Sequence, residues 1–451
     1  MKSRILLLVL GFASVLPSPA APHADRHVVV ISLDGFPAYL WQQPDLPVPN
    51  LRRLAAAGTA ARSMVVTTPA STWSSHTSMI TGRSPRRHGV FFNAQVILHG
   101  PGQPPTTEQW ADKEGFVLVP TLYDVAHAAG LTTAESDWVA ITRAPTIDWS
   151  FPEIPRVEGK VEQEMIAAGL ITAEQIGWME HKPGRKSLVW HDQMWTAAAC
   201  HIFAQHRPNL LLYHPLTLDS VNHHYGPGSE ASYVTAAYLD RLVGQIVETV
   251  EKSGLRDRTT FIVMTDHGFK KVTHRLYPNA VLRRAGFTKA VGPAPVESQA
   301  VALSLGGTAF VYITDPARRA ELLPKLKAAF AGAEGIKAVL AGEEVQALGL
   351  PTPQENPRAG DLLLVARDGY FFDNSAAPDA DALPAPDYGG THGYPHTDPE
   401  MEGIFIASGA HIKPGVPLGR VRNLDLAPTI ARLLGVQLPE AEGRVLEEIL
   451  R

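Results

Sequence analysis

Two short, unbroken apolar runs constrain this chain most: VVVI inside HVVVISLDG at residues 27–35, and FIVM inside TTFIVMTDHG at 259–268. Each stops just short of an aspartate. A strand buried on both faces has no polar side to alternate with, and such strands belong to parallel sheets covered by helices on both sides. Helical spacing follows the first run in VPNLRRLAAAG, and the layout recurs: NLLLYHPLTLD predicts a strand leading into Asp219, and YVTAAYLDRLVGQIVETVEKSG a long amphipathic helix. Late in the chain EGIFIASG predicts a strand and LDLAPTIARLLG a closing helix stopped by Gly435. The expected fold class is α/β, with a central, mostly parallel sheet flanked by helices and ligands gathered at the strand ends.

Between Leu282 and Pro386 the segments GTAFVYI, IKAVLAG and GDLLLVAR have strand character and RRAELLPKLKAAFAG is helical. They predict a smaller inserted α/β lobe. NSAAPDADALPAPDYGG, rich in proline, aspartate and glycine, is the connector back to the core. The expected division is a first core part at 26–281, the lobe and connector at 282–386, and a second core part at 387–451. No fixed-period repeat is visible.

Seven residues carry the chemistry: Asp34, Thr72, Asp219, His223, Asp266, His267 and His392. All lie beside predicted strand ends or turns. Three carboxylates, three imidazoles and a hydroxyl suit two divalent, zinc-like ions with a nucleophile between them, which points to a metal-dependent hydrolase. The segment VVTTPASTWSSHTSMITG offers three hydroxyls, Ser71, Thr72 and Ser74, ahead of a short helix expected from Trp73 to Ile80. Its amide donors and positive end favour a nucleophile there, and spacing alone does not choose among the three. Asp219 and His223 share a face if their segment is helical; Gly226-Pro227 favours a compact loop, in which the pair still chelates one ion and His224 competes. Asp266 and His267 would point oppositely on a strand, so a turn at Gly268 is expected to turn both toward one site. His392 sits in GGTHGY, whose glycines permit close backbone approach. Asn93, ending HGVFFN, offers an amide donor for a phosphoryl oxygen, although taken locally a turn-former is the stronger reading. Arg83, Arg86 and Arg87 lie between Thr72 and Asn93 without being anchored to a motif.

With these motifs in order, the chain resembles the nucleotide pyrophosphatase/phosphodiesterase family of the alkaline phosphatase superfamily over essentially its whole mature length. The resemblance implies an alkaline-phosphatase-like fold and a nucleophilic threonine, placed at Thr72 by STWSSH. It implies one Zn2+ held by Asp34, Asp266 and His267 beside Thr72, a second held by Asp219, His223 and His392, and Asn93 contacting the phosphoryl group with the Thr72 amide; other divalent ions remain possible. Ser74-Ser75 replaces the family's common proline-asparagine pair, and threonine rather than serine precedes Asp266. The C/S-x-P-x-R core of the related sulfatases is absent at Thr72. The implied activity is phosphodiester or nucleotide pyrophosphate hydrolysis through a phospho-threonine. Phosphomonoester and phosphonate hydrolysis are the alternatives, together with a catalytically retired, metal-stabilised binding protein.

Lys2 and Arg4, the apolar stretch Ile5 to Leu16 and Ser18-Pro19-Ala20 read as a signal peptide over 1–20, so a secreted or periplasmic product without a membrane span is expected. The lone cysteine, Cys200 in WTAAACHIFAQH, cannot form an internal disulfide and is expected to be structural. Formal charge is −5, and loss of Lys2 and Arg4 makes it two units more negative. Without a basic stripe, nucleic-acid polymers are poor partners; a small phosphate ester or nucleotide is the expected substrate.

Overall fold

The structure, a computed structural model, describes residues 22–179 and 187–451. The expected signal peptide lies outside the described residues. Among them, eight strands form one sheet in the order Leu418–Arg422, Thr59–Val65, Phe405–Gly409, Thr259–Met264, His27–Ser32, Leu210–Tyr213, Thr133–Ser136, Trp149–Phe151. All neighbours pair in parallel except Phe405–Gly409, which runs antiparallel to both its partners.

The apolar runs occupy the middle of this sheet for the reason their composition implies. Val28 and Val30 point into one buried cluster with Leu210, Leu212, Ile262 and Met264, while Val29 and Ile31 point into another with Leu211, Tyr213, Phe261 and Val263. Side chains alternate across a strand, so both faces need apolar residues when helices cover both. The amphipathic helix Glu230–Lys252 supplies Leu239, Val243, Ile246 and Val250 to the second face, and the closing helix Leu426–Leu434 supplies Leu426, Ile430 and Leu434 to the first, ending at left-handed Gly435. None of the helices among the described residues is long and apolar enough to cross a membrane.

Between Thr259–Met264 and Phe405–Gly409 the chain builds a four-stranded sheet, ordered Ala300–Leu305, Thr308–Ile313, Leu362–Ala366, Ile336–Leu340, every pair antiparallel. One face, through Ala302, Val311, Leu362 and Leu364, joins the cluster that contains Val28 and Val30; the other, through Phe310, Tyr312 and Leu363, packs with Phe91 and Val96. These strands therefore press directly on the main core. Cys200, half-buried in the helix Leu188–His206, is a free thiol, and burial pushes its pKa up to about 11.

Candidate active site

The site forms where parallel strands end. Asp34 follows His27–Ser32 and Asp266 follows Thr259–Met264, strands paired in register from His27 with Thr259 to Ser32 with Met264, so the two carboxylates leave the sheet side by side. Asp219 arrives otherwise: its strand ends at Tyr213, and Asp219 stands in the first turn of the helix Thr217–Tyr225. His223, four residues on, shares its face, with Nε2 3.4 Å from Asp219 Oδ1. The compact loop favoured by Gly226-Pro227 is thus corrected, since Gly226, at φ +79°, ends this helix and does not shape the pair. Asp192 fixes the helix start, its carboxylate accepting from the Leu216 and Thr217 N–H groups at 2.9 and 3.1 Å.

Thr72 is the first residue of the helix Thr72–Thr81, one earlier than expected. Among its three candidate hydroxyls, Ser71 and Ser74 are fully buried, whereas half-buried Thr72 lines an open cavity. Thr72 Oγ1 lies 3.4 Å from His267 Nε2. That nitrogen also faces Asp34 Oδ1 at 3.3 Å and Asp266 Oδ2 at 3.3 Å. The neighbouring group is Asp219 with His223 and His392, whose Nε2 is 3.6 Å from Asp219 Oδ1. The His267 and His392 rings stack at 3.6 Å and 9°, so the two groups adjoin. All seven sequence candidates converge here. His224, the competing ligand, is exposed and belongs to no such group among the described residues.

Gly268 acts differently from expectation. It needs no left-handed turn; instead a Cβ there would lie 2.0 Å from the Glu400 carbonyl oxygen, while its own N–H donates to Met401 at 2.9 Å. Gly268→Ala is expected to push Asp266-His267 off the 400–401 segment and to lower stability by about 2 kcal/mol or more, measurable as a fall in urea midpoint with bound metal reduced in parallel.

Whether the residues fit a metal is decided by proton bookkeeping on the imidazoles. Nδ1 of His267, His223 and His392 contacts the carbonyl oxygens of Gly268, Gly390 and Ala70 at 3.1, 2.9 and 2.9 Å. A carbonyl only accepts, so each Nδ1 carries a proton, that of His223 also facing the Tyr388 hydroxyl oxygen at 2.6 Å, and the neutral His267 and His392 rings turn Nε2 lone pairs toward the carboxylates. Asp34 Oδ1, Asp219 Oδ1 and Asp266 Oδ2 are buried with no hydrogen-bond partner. Lone pairs facing lone pairs repel, and a cation between them removes the conflict. Nitrogen and carboxylate donors fit zinc-like ions. The electrostatics agree: burial, then Asp266 and Asp219, hold the Asp34 carboxyl well above its usual range, and burial chiefly raises Asp219 to about 6. Burial pushes His267 down to about 3, keeping the ring neutral.

Two histidines escaped the sequence reading. His76, one helical turn after Thr72, donates from Nδ1 to the Thr72 carbonyl at 2.7 Å and leaves Nε2 buried without a partner. His214 donates from Nδ1 to the Asp137 carbonyl at 3.1 Å and sets Nε2 3.1 Å from Asp34 Oδ2. The available signals were the four-residue spacing from Thr72 and a histidine directly following a buried strand. The arginines between Thr72 and Asn93 turn away from the cavity: Arg86 pairs with Glu355 at 2.5 Å, Arg83 with Glu440 at 3.1 Å, and Arg87 is exposed.

The cavity beside Thr72 encloses ≈ 430 Å³ and includes Trp73, Asn93, Trp110, Glu153 and Tyr388. A second, of ≈ 340 Å³, shares Asn93, His223 and Tyr388 with it and adds Arg275 and His392. Asn93 Oδ1 accepts from the Trp73 N–H at 3.1 Å, which leaves its amide NH2 as the free end.

The model of the type I phosphodiesterase / nucleotide pyrophosphatase family matches residues 28–395. Human ectonucleotide pyrophosphatase/phosphodiesterase family member 7 is 23% identical over 469 residues, covering 100% of this chain and 90% of the human protein. Venom phosphodiesterase of Macrovipera lebetinus is 23% identical over 278 residues, 59% of this chain and 29% of that protein. Among solved structures, human ectonucleotide pyrophosphatase/phosphodiesterase 5 superposes with a TM-score of 0.70 at 17% identity, over 94% of this chain and 100% of that one. An inactive variant of its murine counterpart, in complex with AMP, gives 0.71 at 16% identity over the same shares. Both share this chain's fold.

Proposed function

Because this chain belongs to the type I phosphodiesterase / nucleotide pyrophosphatase family, we propose that it is an exported enzyme hydrolysing phosphate diesters, nucleotide pyrophosphates among them, with Thr72 as nucleophile. Asp34, Thr72, Asp266 and His267 would hold one zinc-like ion, and Asp219, His223 and His392 the other. Relatives named phosphodiesterases and the AMP complex of a protein with this fold support that substrate class.

One observation carries the diester reading: two cavities share Asn93, His223 and Tyr388 in their walls. A phosphodiester has two organic arms and a monoester one, so a centre flanked by two clefts suits the diester. The ions that these residues would hold would supply Lewis acidity, lowering the pKa of the threonine hydroxyl and offsetting charge on the phosphoryl oxygens. The chain's residues do the rest. Thr72 Oγ, at the positive end of its helix, gives up its proton and attacks phosphorus as the bond to the leaving group breaks; that group takes up a proton and departs, and the phosphoryl group, still bearing the other organic arm, passes to Thr72. Asn93 donates its free amide to a phosphoryl oxygen, an interaction that strengthens as charge accumulates in the transition state. Water then attacks the same phosphorus, the Thr72 ester bond breaks, and the hydroxyl is restored.

Asn93→Ala removes that donor and is expected to lower kcat about 10²- to 10³-fold with a smaller change in KM, checked by steady-state kinetics on an aryl diester. The substrate class is tested by offering zinc-loaded protein matched aryl phosphodiester, monoester and phosphonate substrates. A higher kcat/KM on the diester is expected; a monoester preference would overturn the two-cleft argument.

A further inference from the structure

We propose that Glu164, His201 and His206 form a separate binding site for a divalent zinc-like ion, outside the centre described above. Glu164 lies on the helix Lys160–Ala167, and both histidines lie on Leu188–His206, beside the edge strand Trp149–Phe151. Residues five apart on a regular helix point about 140° apart, so His201 and His206 would not ordinarily converge. They do so because His206 is the last helical residue, Arg207 turning left-handed at φ 50° and ψ 54°. Trp149 then fixes the freed ring by stacking on it at 4.5 Å and 14°.

Both Nε2 atoms meet one carboxylate oxygen, Glu164 Oε2, at 3.3 Å from His201 and 2.6 Å from His206. The three ligand atoms lie within 4.8 Å of one another. Two imidazoles and a carboxylate are the donor set that zinc accepts with one position left for water, whereas calcium and magnesium favour oxygen alone. Without an ion each ring hydrogen-bonds only as an Nε2–H donor to that oxygen; neither Nδ1 has a hydrogen bond among the described residues. Moving the proton to Nδ1 therefore breaks nothing else and exposes both Nε2 lone pairs to a cation. In the main centre the Nδ1 protons are already fixed by carbonyls, so this second cluster is the less preorganised and the weaker binder. Lys160, whose ammonium sits 5.1 Å from the Trp149 ring centre, adds a nearby positive charge that acts in the same direction. An ion here would tie the two helices together.

The test counts ions. Protein stripped by chelator, reloaded with Zn2+ and freed of excess metal is analysed by mass spectrometry beside Glu164→Gln and His201→Gln, with aryl diester hydrolysis measured on each. The expected result is one ion fewer per chain in both variants, with hydrolysis within about twofold of the parent. Equal ion counts in parent and variants would overturn the site, and so would loss of every ion, which would make the cluster part of the main centre. His201 is buried, so if His201→Gln fails to fold, Glu164→Gln, at a half-buried position, still decides the count. The one-ion difference also reads independently of turnover, and so separates this site from the proposed catalysis.

Discussion

Thr72→Ala is expected to reduce kcat on a phosphodiester by at least about 10³-fold while leaving fold and metal content essentially intact. The size follows from the role proposed for the hydroxyl: without it, water must attack in a single step with no covalent intermediate. Neither neighbour can deputise, because Ser71 and Ser74 are wholly buried and line neither cavity beside the metal ligands. The small structural effect follows from its contacts. Thr72 Oγ1 faces only His267 Nε2, at 3.4 Å, and the bond from His76 is to the Thr72 backbone carbonyl, which alanine keeps. Alanine is also a better helix former than threonine at the head of Thr72–Thr81, so stability should change by about 1 kcal/mol or less. Thr72→Ser retains the hydroxyl and should retain much of the rate, and parent enzyme acid-quenched during turnover should carry the substrate's phosphoryl group, with its remaining organic arm, on this residue. If Thr72→Ala, with its metal content unchanged, kept more than about a tenth of the activity, the nucleophile assignment would fail.

What sequence could reveal was set by how local each determinant is. Asp34 and Asp266 were legible because each ends an apolar run whose strand nature follows from composition, and parallel pairing then sets the two side by side. Asp219 was legible as a ligand but misplaced in structure. Gly226-Pro227 is a breaker signal, and nothing in TLDSVNHHY announces that Asp192, 27 positions before Asp219, supplies the carboxylate that starts the helix ahead of it. Gly268 shows the same limit. Its requirement comes from the carbonyl of Glu400, a contact made only when the antiparallel strand Phe405–Gly409 docks beside Thr259–Met264.

The choice of Thr72 over Ser71 and Ser74 needed burial, which spacing does not encode. His214 was hidden because its meaning depends on two remote partners, the Asp137 carbonyl and the Asp34 carboxylate. Tautomer logic, which makes the strongest physical case for a cation, was beyond reach for the same reason: it rests on carbonyls at Gly268, Gly390 and Ala70, which only the folded chain brings to the rings.

Removal of divalent ions is expected to abolish turnover, to restore it on re-addition of Zn2+, and to lower stability by an amount that grows with pH. In the ion-free fold burial and neighbouring carboxylates hold Asp34 well above its usual range, and burial chiefly holds Asp219 at about 6. A cation favours the charged carboxylates, so the ion-bound fold carries fewer protons than the ion-free fold, and binding releases protons. Linkage then makes binding tighten as pH rises, by about tenfold per unit for each proton released. For Asp219 that slope applies below about pH 6 and vanishes above it; for Asp34 it persists to higher pH. The His267 and His392 imidazoles add nothing to this slope. Burial keeps His267 neutral down to about pH 3 in the ion-free fold and pushes His392 lower than its ordinary value, so neither has a proton to lose over the working range. Since ligand binding stabilises the fold by about 4 kcal/mol at a thousandfold excess over Kd, the gap in melting temperature between zinc-loaded and chelated protein should widen from pH 5 to pH 7. A gap that stayed constant, or narrowed, over that interval would mean that these carboxylates do not surrender protons to the ions, and the assignment of Asp34 and Asp219 as ligands would fall with it.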